Sequence, residues 1–296
     1  MKKSGLFILI AGILIFTSSF CFGGNIYKIG VLAKRGPAKA LHKWGPTGKY
    51  LTSKLGKKVE IVPLAFDEVN PAVKAGKVDF FLVNSSMYVT AKVRYGAKAI
   101  ATLVNSRQGK ALKVFGGVII ASSDNNAINS MADIKGKTFM GVKKSSFGGW
   151  QMADNEFINA GINPFTDFSV VKFGGTHDNV VLAVQNGAVA AGTVRTDTLE
   201  RMVAEGTIYM DDFKIINKKA YKDFPFVCST ALYPEWPLAK TKNTSDADAA
   251  KVVKALKELK KGDTATKAAK IIGWVDPLDY TPVEKLQKKL KIGAYK

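Results

Sequence analysis

The chain has 296 residues, 47% of them hydrophobic, which is enough to build two lobes or one large domain and rules out a disordered chain. With 44 Lys and Arg against 24 Asp and Glu, its formal charge is +20, which predicts attraction to anions. Only Arg35, Arg94, Arg107, Arg195 and Arg201 are arginines, and the lysines are scattered singly and in pairs. Nucleic-acid recognition relies on the Arg fork and on motifs that are missing here, so the basic coat reads as surface solubility.

Residues 1–23 read as a secretory signal peptide. Lys2 and Lys3 form a positive start, Leu6 to Phe16 an apolar stretch, and Thr17 to Gly23 a cleavage region rich in small residues. The apolar stretch is about eleven residues, against the ~20 of a permanent membrane span. Cleavage is expected near Gly23, because the bulky Phe20 before Cys21 does not suit lipid attachment. Only Cys228 then remains, which predicts an exported protein without an internal disulfide. Two His and one Cys do not make an ordinary zinc site, and no cofactor is expected.

Short apolar strands then alternate with amphipathic helices, the pattern of an α/β protein. The spacing predicts a strand over 26–32, a helix over 38–55 stopped at Gly56, a strand over 59–64, a helix over 67–75 closed by Gly76, and a strand over 78–83 leading into a helix with Tyr88. A strand over 114–121 ends in the polar stretch Ser122 to Asn126, which marks a boundary. A second series follows: strand 138–142, helix 148–160, strand 168–173, helix 178–185, strand 189–194 and helix 197–204. After Phe224-Pro225 come an extended segment over 227–232, a polar turn over 241–246, and helices within 247–261, 263–272 and 281–291.

Two such series predict two lobes with a cleft between them. Ligands of open α/β sheets sit beyond the carboxyl ends of strands, where helix N-termini present unpaired N–H groups. Three segments in the second series suit that place. Lys143 to Trp150 carries Ser145, Ser146 and two glycines, donors for an oxyanion or an ordinary helix cap. Phe173 to Asn179 puts His177 where a helix begins, and the positive end of the helix dipole there favours a neutral imidazole donor. Gly192 to Asp197 ends in Arg195, a fork for an anion, beside Asp197, which either pairs with it or accepts from the ligand.

Two segments of the first series, Gly30-Val31-Leu32-Ala33 with Trp44 and Tyr50, and Gly76 to Phe80 with Asn84 and Tyr88, resemble the first lobe of the phosphonate/phosphite/phosphate substrate-binding proteins of ABC transporters. Ser146 to Trp150, Gly175 to Val181, Gly192 to Asp197 and Ser229 to Pro237 resemble the second lobe of a branch of that family, and the likeness covers residues 26–290. It implies a two-lobed type II periplasmic binding-protein fold whose lobes close on a small oxyanion. By that resemblance Ser145, Ser146 and His177 hold the anion, Phe66 and Tyr88 are aromatic residues of the cleft, and Asp197 corresponds to a carboxylate that accepts an amine in some members. Phe147 interrupts the hydroxyl run of the amine-binding members, and Arg195 stands where those members have no arginine.

The expected organisation is a first lobe of residues 24–120 and 227–296 and a second of 121–226, with hinges near 118–124 and 224–230. The expected function is capture of a small anion of the phosphate, phosphite or phosphonate class by a monomer in the periplasm, for the permease of an ABC importer. The alternative is a ligand-sensing component that feeds a membrane sensor kinase. No nucleophile–base pair, metal cluster or carboxylate dyad is readable, so an enzyme is not expected, nor is a nucleic-acid partner.

Overall fold

The computed structural model describes residues 26–296, and the leader read over 1–23, with Cys21, lies outside them. The first strands and helices run β1 (Tyr27–Leu32), α1 (Pro37–Leu55), β2 (Val59–Leu64), α2 (Val69–Lys74), β3 (Phe80–Leu82), α3 (Ser85–Tyr95), β4 (Lys98–Arg107) and β5 (Lys110–Leu112). Next come β6 (Val114–Phe115), β7 (Gly117–Ser122), β8 (Thr138–Gly141), α4 (Met152–Asn159), α5 (Pro164–Asp167), β9 (Val170–Phe173), α6 (His177–Gln185), β10 (Ala191–Arg195), α7 (Thr198–Ala204) and β11 (Phe213–Ile216). The chain ends with β12 (Tyr233–Pro234), β13 (Pro237–Lys240), α8 (Asp246–Glu258), α9 (Thr264–Ala269), β14 (Ile271–Val275) and α10 (Thr281–Leu290).

Two sheets carry the two lobes. The first has the order β14-β4-β13-β3-β1-β2, with β5 on β4; the second has the order β11-β7-β10-β8-β9. In each, a parallel βα series is joined by antiparallel strands: β1 pairs parallel with β2 and β3, while β7 runs antiparallel to both β10 and β11. β1 is buried at every position but Lys28, the mark of a strand covered on both faces. α1 follows it because Pro37 suits the first helical turn, and a left-handed Gly56 ends it. The second lobe closes on an aromatic cluster in which Phe139 meets Phe157 and Phe168, each at 5.3 Å between ring centres.

The crossover differs from expectation. β6 and β12 form their own two-stranded ribbon, with Phe115 opposite Tyr233 and Val114 opposite Pro234. The predicted strand over 114–121 is therefore two, and β7 belongs wholly to the second sheet. Residues 229–230 also side with that sheet: Ser229 Oγ donates to Ile216 O at 2.6 Å, and Thr230 Oγ1 accepts from Gly117 N–H at 2.9 Å. Against the boundaries expected at 120 and 227 and the hinges expected at 118–124 and 224–230, residues 117–122 and 229–230 pair with the second sheet, and the ribbon at 114–115 and 233–234 belongs to neither sheet. Gly116 beside it admits no side chain, since a Cβ there would lie 2.6 Å from Cys228 Sγ. Phe147 packs on the same ribbon, 6.0 Å from Phe115 and 5.0 Å from Tyr233 between ring centres, so the residue that breaks the hydroxyl run is buried between the ribbon's aromatic rings.

Candidate functional site

Between the lobes lies a cavity of about 580 Å³. The first lobe lines it with Leu32 and Lys34 at the end of β1, Lys43 and Trp44 of α1, and Leu103, Asn105 and Arg107 of β4. The second lobe adds His177, Arg195 and Asp197, and Trp236 follows the crossover ribbon. Ion pairs join the lobes beside it: Arg35 meets Asp178 at 3.1 Å, and Arg107 meets Asp197.

His177 is the first residue of α6, set there because Thr176 Oγ1 caps the helix by accepting from Asn179 N–H at 3.2 Å. Its Nδ1 accepts the Arg195 backbone N–H at 3.1 Å, which leaves the proton on Nε2 and makes the ring a donor toward the cavity. Burial, then the charges of Lys34 and Arg195, hold its pKa well below the usual range, so the imidazole is neutral. Ser146 is its neighbour. A Cβ on Gly149 would fall 2.8 Å from Ser146 Oγ and 2.9 Å from His177 Cε1, so the bare glycine backbone lets the two side chains approach.

Arg195 is a buried scaffold. Its guanidinium makes a forked pair with Glu235, with Nη1 to Oε2 at 3.3 Å, lies 3.5 Å from Asp197, and rests over the Phe115 ring at 4.2 Å. Burial opposes its charge, but Glu235 and Asp197 outweigh that and raise its pKa. Burial likewise opposes the Asp197 carboxylate, and Arg107 and Arg195 overcome it and lower its pKa. Asp197 takes a left-handed φ of 70° at the cap of α7, a conformation Asp tolerates better than most residues.

Five lysines line the cavity, and the two that are not exposed, Lys34 and Lys43, have no such partners among the described residues. Lys34 Nζ sits over the Trp236 ring at 5.3 Å and Lys43 Nζ over the Trp44 ring at 5.2 Å, and neither ammonium has a carboxylate or carbonyl acceptor among the described residues. Burial, then Arg195 and Arg107, lower Lys34 to about 7; burial, Arg107 and Lys34 push Lys43 well down as well. The inner wall therefore holds four basic side chains (Lys34, Lys43, Arg107 and Arg195) against the two carboxylates of Asp197 and Glu235, and the arginines take both carboxylates. Such a surplus in a low-dielectric cleft is a receptor for negative charge.

The expected site residues divide. His177, Arg195 and Asp197 meet on this cavity, with Ser146 packed behind. Ser145 lines instead a second inter-lobe cavity of about 310 Å³, with Ser86, Gln151 and Asp154. Tyr88 and Phe66 line neither: Tyr88 is buried against Tyr280, its hydroxyl accepting from Ala99 N–H at 3.1 Å, and Phe66 lies in the first lobe's core. The apolar faces of both are worth more in that core than on a polar cleft. Sequence reasoning missed Lys34, Lys43, Arg107, Glu235 and Trp236. Lys34 had a signal, two residues past the end of a predicted strand, and Glu235 and Trp236 lie in the segment Ser229 to Pro237 that carries part of the resemblance; Lys43 and Arg107 had none. Among the described residues no group of three or more His, Cys, Asp and Glu is placed to hold a metal, and no helix is long and apolar enough to cross a membrane.

A family model described as ABC transporter, phosphonate, periplasmic substrate-binding protein matches residues 29–282. The chain belongs to this family. Two solved phosphonate-binding proteins share the family's two-lobed fold with it. The methylphosphonate complex of PhnD1 from Prochlorococcus marinus has a TM-score of 0.71 and 15% identity over 90% of this chain and 98% of that one. A binding component of an ABC phosphonate transporter from Pseudomonas aeruginosa has a TM-score of 0.72 and 18% identity over 88% and 85%. The tetrathionate sensor histidine kinase TtrS of Salmonella typhimurium is 30% identical over 274 residues, 92% of this chain. The chain spans 45% of that relative's length.

Proposed function

We propose that this periplasmic binding protein captures a small oxyanion in the cleft between its lobes, for the permease of an ABC importer. The observation that carries this reading is the pair of unpartnered ammonium groups of Lys34 and Lys43 on a cavity that also receives the neutral Nε2–H donor of His177. In this reading Lys34, Lys43 and His177 contact the anion, Ser146 supports His177, and Arg195, Asp197 and Glu235 hold the frame. The protein acts as a monomeric binder rather than an enzyme, exported with its signal peptide cleaved near Gly23. Phosphate, phosphite and methylphosphonate satisfy the same donors.

The experiment is a calorimetric titration of the purified protein with these three anions and with tetrathionate. In a dry cleft, losing one donor to a charged oxygen costs about 1.5–3 kcal/mol, roughly ten- to two-hundred-fold in affinity. His177→Ala and Lys34→Met should each lose that much in folded protein. If no anion binds, the reading fails.

A second reading is a sensing component for a membrane sensor kinase. It is favoured by the likeness to the tetrathionate sensor kinase, which covers nearly all of this chain. Pull-down of a histidine kinase rather than a permease by the anion-loaded protein would select it.

A further inference from the structure

We propose that the ligand of this cleft is an extended dianion, with a negative group at each end and an apolar or polarisable middle, rather than a compact oxyanion. The inference rests on the anion-binding reading above and starts from how the cations are held. Each of the four arginines on the cavity is paired: Arg35 and Arg201 with Asp178, Arg107 with Asp197, and Arg195 with Glu235. Of the five lysines that line the cavity, Lys39, Lys267 and Lys270 are exposed at its rim, and the two set inside it, Lys34 and Lys43, have no carboxylate partner among the described residues, so a bound anion is the counter-charge that would keep both protonated.

Those two charges do not share one perch. Lys34 lies over Trp236 and Lys43 over Trp44, each more than 5 Å from its ring centre, on opposite sides in sequence of the first turns of α1. Cation–π contact holds each ammonium where it is. An anion with a negative group at each end can meet each ammonium on its own indole and so keep both cation–π contacts. Cavity size agrees. At roughly 20–30 Å³ per heavy atom, the scale of one water in the liquid, a five-atom oxyanion fills on the order of 100–150 Å³. That is a minor part of the 580 Å³ available. The rest is walled by the buried side chains of Leu32, Trp44, Leu103 and Trp236, which suit a chain or a run of soft atoms and offer little to a phosphate oxygen.

The test compares fully ionised two-ended probes, ethane-1,2-disulfonate and tetrathionate, with sulfate, phosphate and methylphosphonate, by calorimetry on the unmodified protein. The two-ended probes should bind at least tenfold tighter than any compact one. Lys34→Met and Lys43→Met, with folding checked by thermal denaturation, should each weaken the two-ended probes tenfold or more. Equal or tighter binding of the compact anions overturns the proposal and leaves anion capture standing. So does unchanged binding of both two-ended probes in folded Lys43→Met. Binding of no anion of either kind removes the parent reading with it.

Discussion

Raising the pH through the range where Lys34 titrates should weaken anion capture, and the effect follows from the groups around that lysine. Burial, with Arg195 and Arg107, lowers its ammonium to about 7, while Asp197 and Glu235 support the charge only in part. A bound anion acts in the opposite sense and raises the pKa again. Above about pH 7 the free site therefore holds fewer protons than the complex, so affinity falls as pH rises, by about tenfold per unit for one proton taken up. Below about pH 6 Lys34 is charged in both states and its contribution is flat. Lys43 is shifted in the same direction, by burial, Arg107 and Lys34. His177 does not, because its Nδ1 is engaged by the Arg195 N–H. The assay is calorimetry at pH 8 in two buffers of different ionisation heat, with sulfate or ethane-1,2-disulfonate as probe so that the ligand itself neither gains nor loses a proton. The difference in heats should report about one proton or more taken up per anion bound, and Lys34→Met should reduce it by about one. Equal heats in both buffers, with binding intact, would refute the placement of Lys34 on the ligand.

Two further outcomes probe the frame. Glu235→Gln leaves the Arg195 guanidinium buried without its full counter-charge and should lower unfolding free energy by about 3–5 kcal/mol in denaturant titration; a loss under about 1 kcal/mol would mean that the pair does not hold the hinge. Tyr88→Phe strands the Ala99 N–H and should cost about 1–3 kcal/mol of stability while leaving anion affinity within about twofold; a larger loss of affinity would return Tyr88 to the cleft.

Local signals in the sequence determined the alternation of strands and helices, the two lobes and the place of His177. Periodicity marks β8, β9 and β10 without reference to anything distant, and Gly174-Gly175-Thr176 announces the cap that sets His177 at the start of α6. The strands β4, β13 and β14 went unread because what makes them strands is pairing with one another across more than a hundred residues, as Leu238 with Ala101 and Trp274 with Leu103. The helix read over 263–272 runs past α9 into the first two residues of β14, although a left-handed Lys270 ends the helix between them. The site was decided almost wholly by tertiary structure. Arg195 and Asp197 are legible as neighbours in sequence, but only folding brings in Glu235, forty residues on, to pair with the guanidinium. Lys34 and Lys43 look like any other lysine in a basic chain. What sets them apart is that they are half-buried between two lobes without a counter-charge, and such a setting is a property of the three-dimensional structure that no run of residues encodes locally.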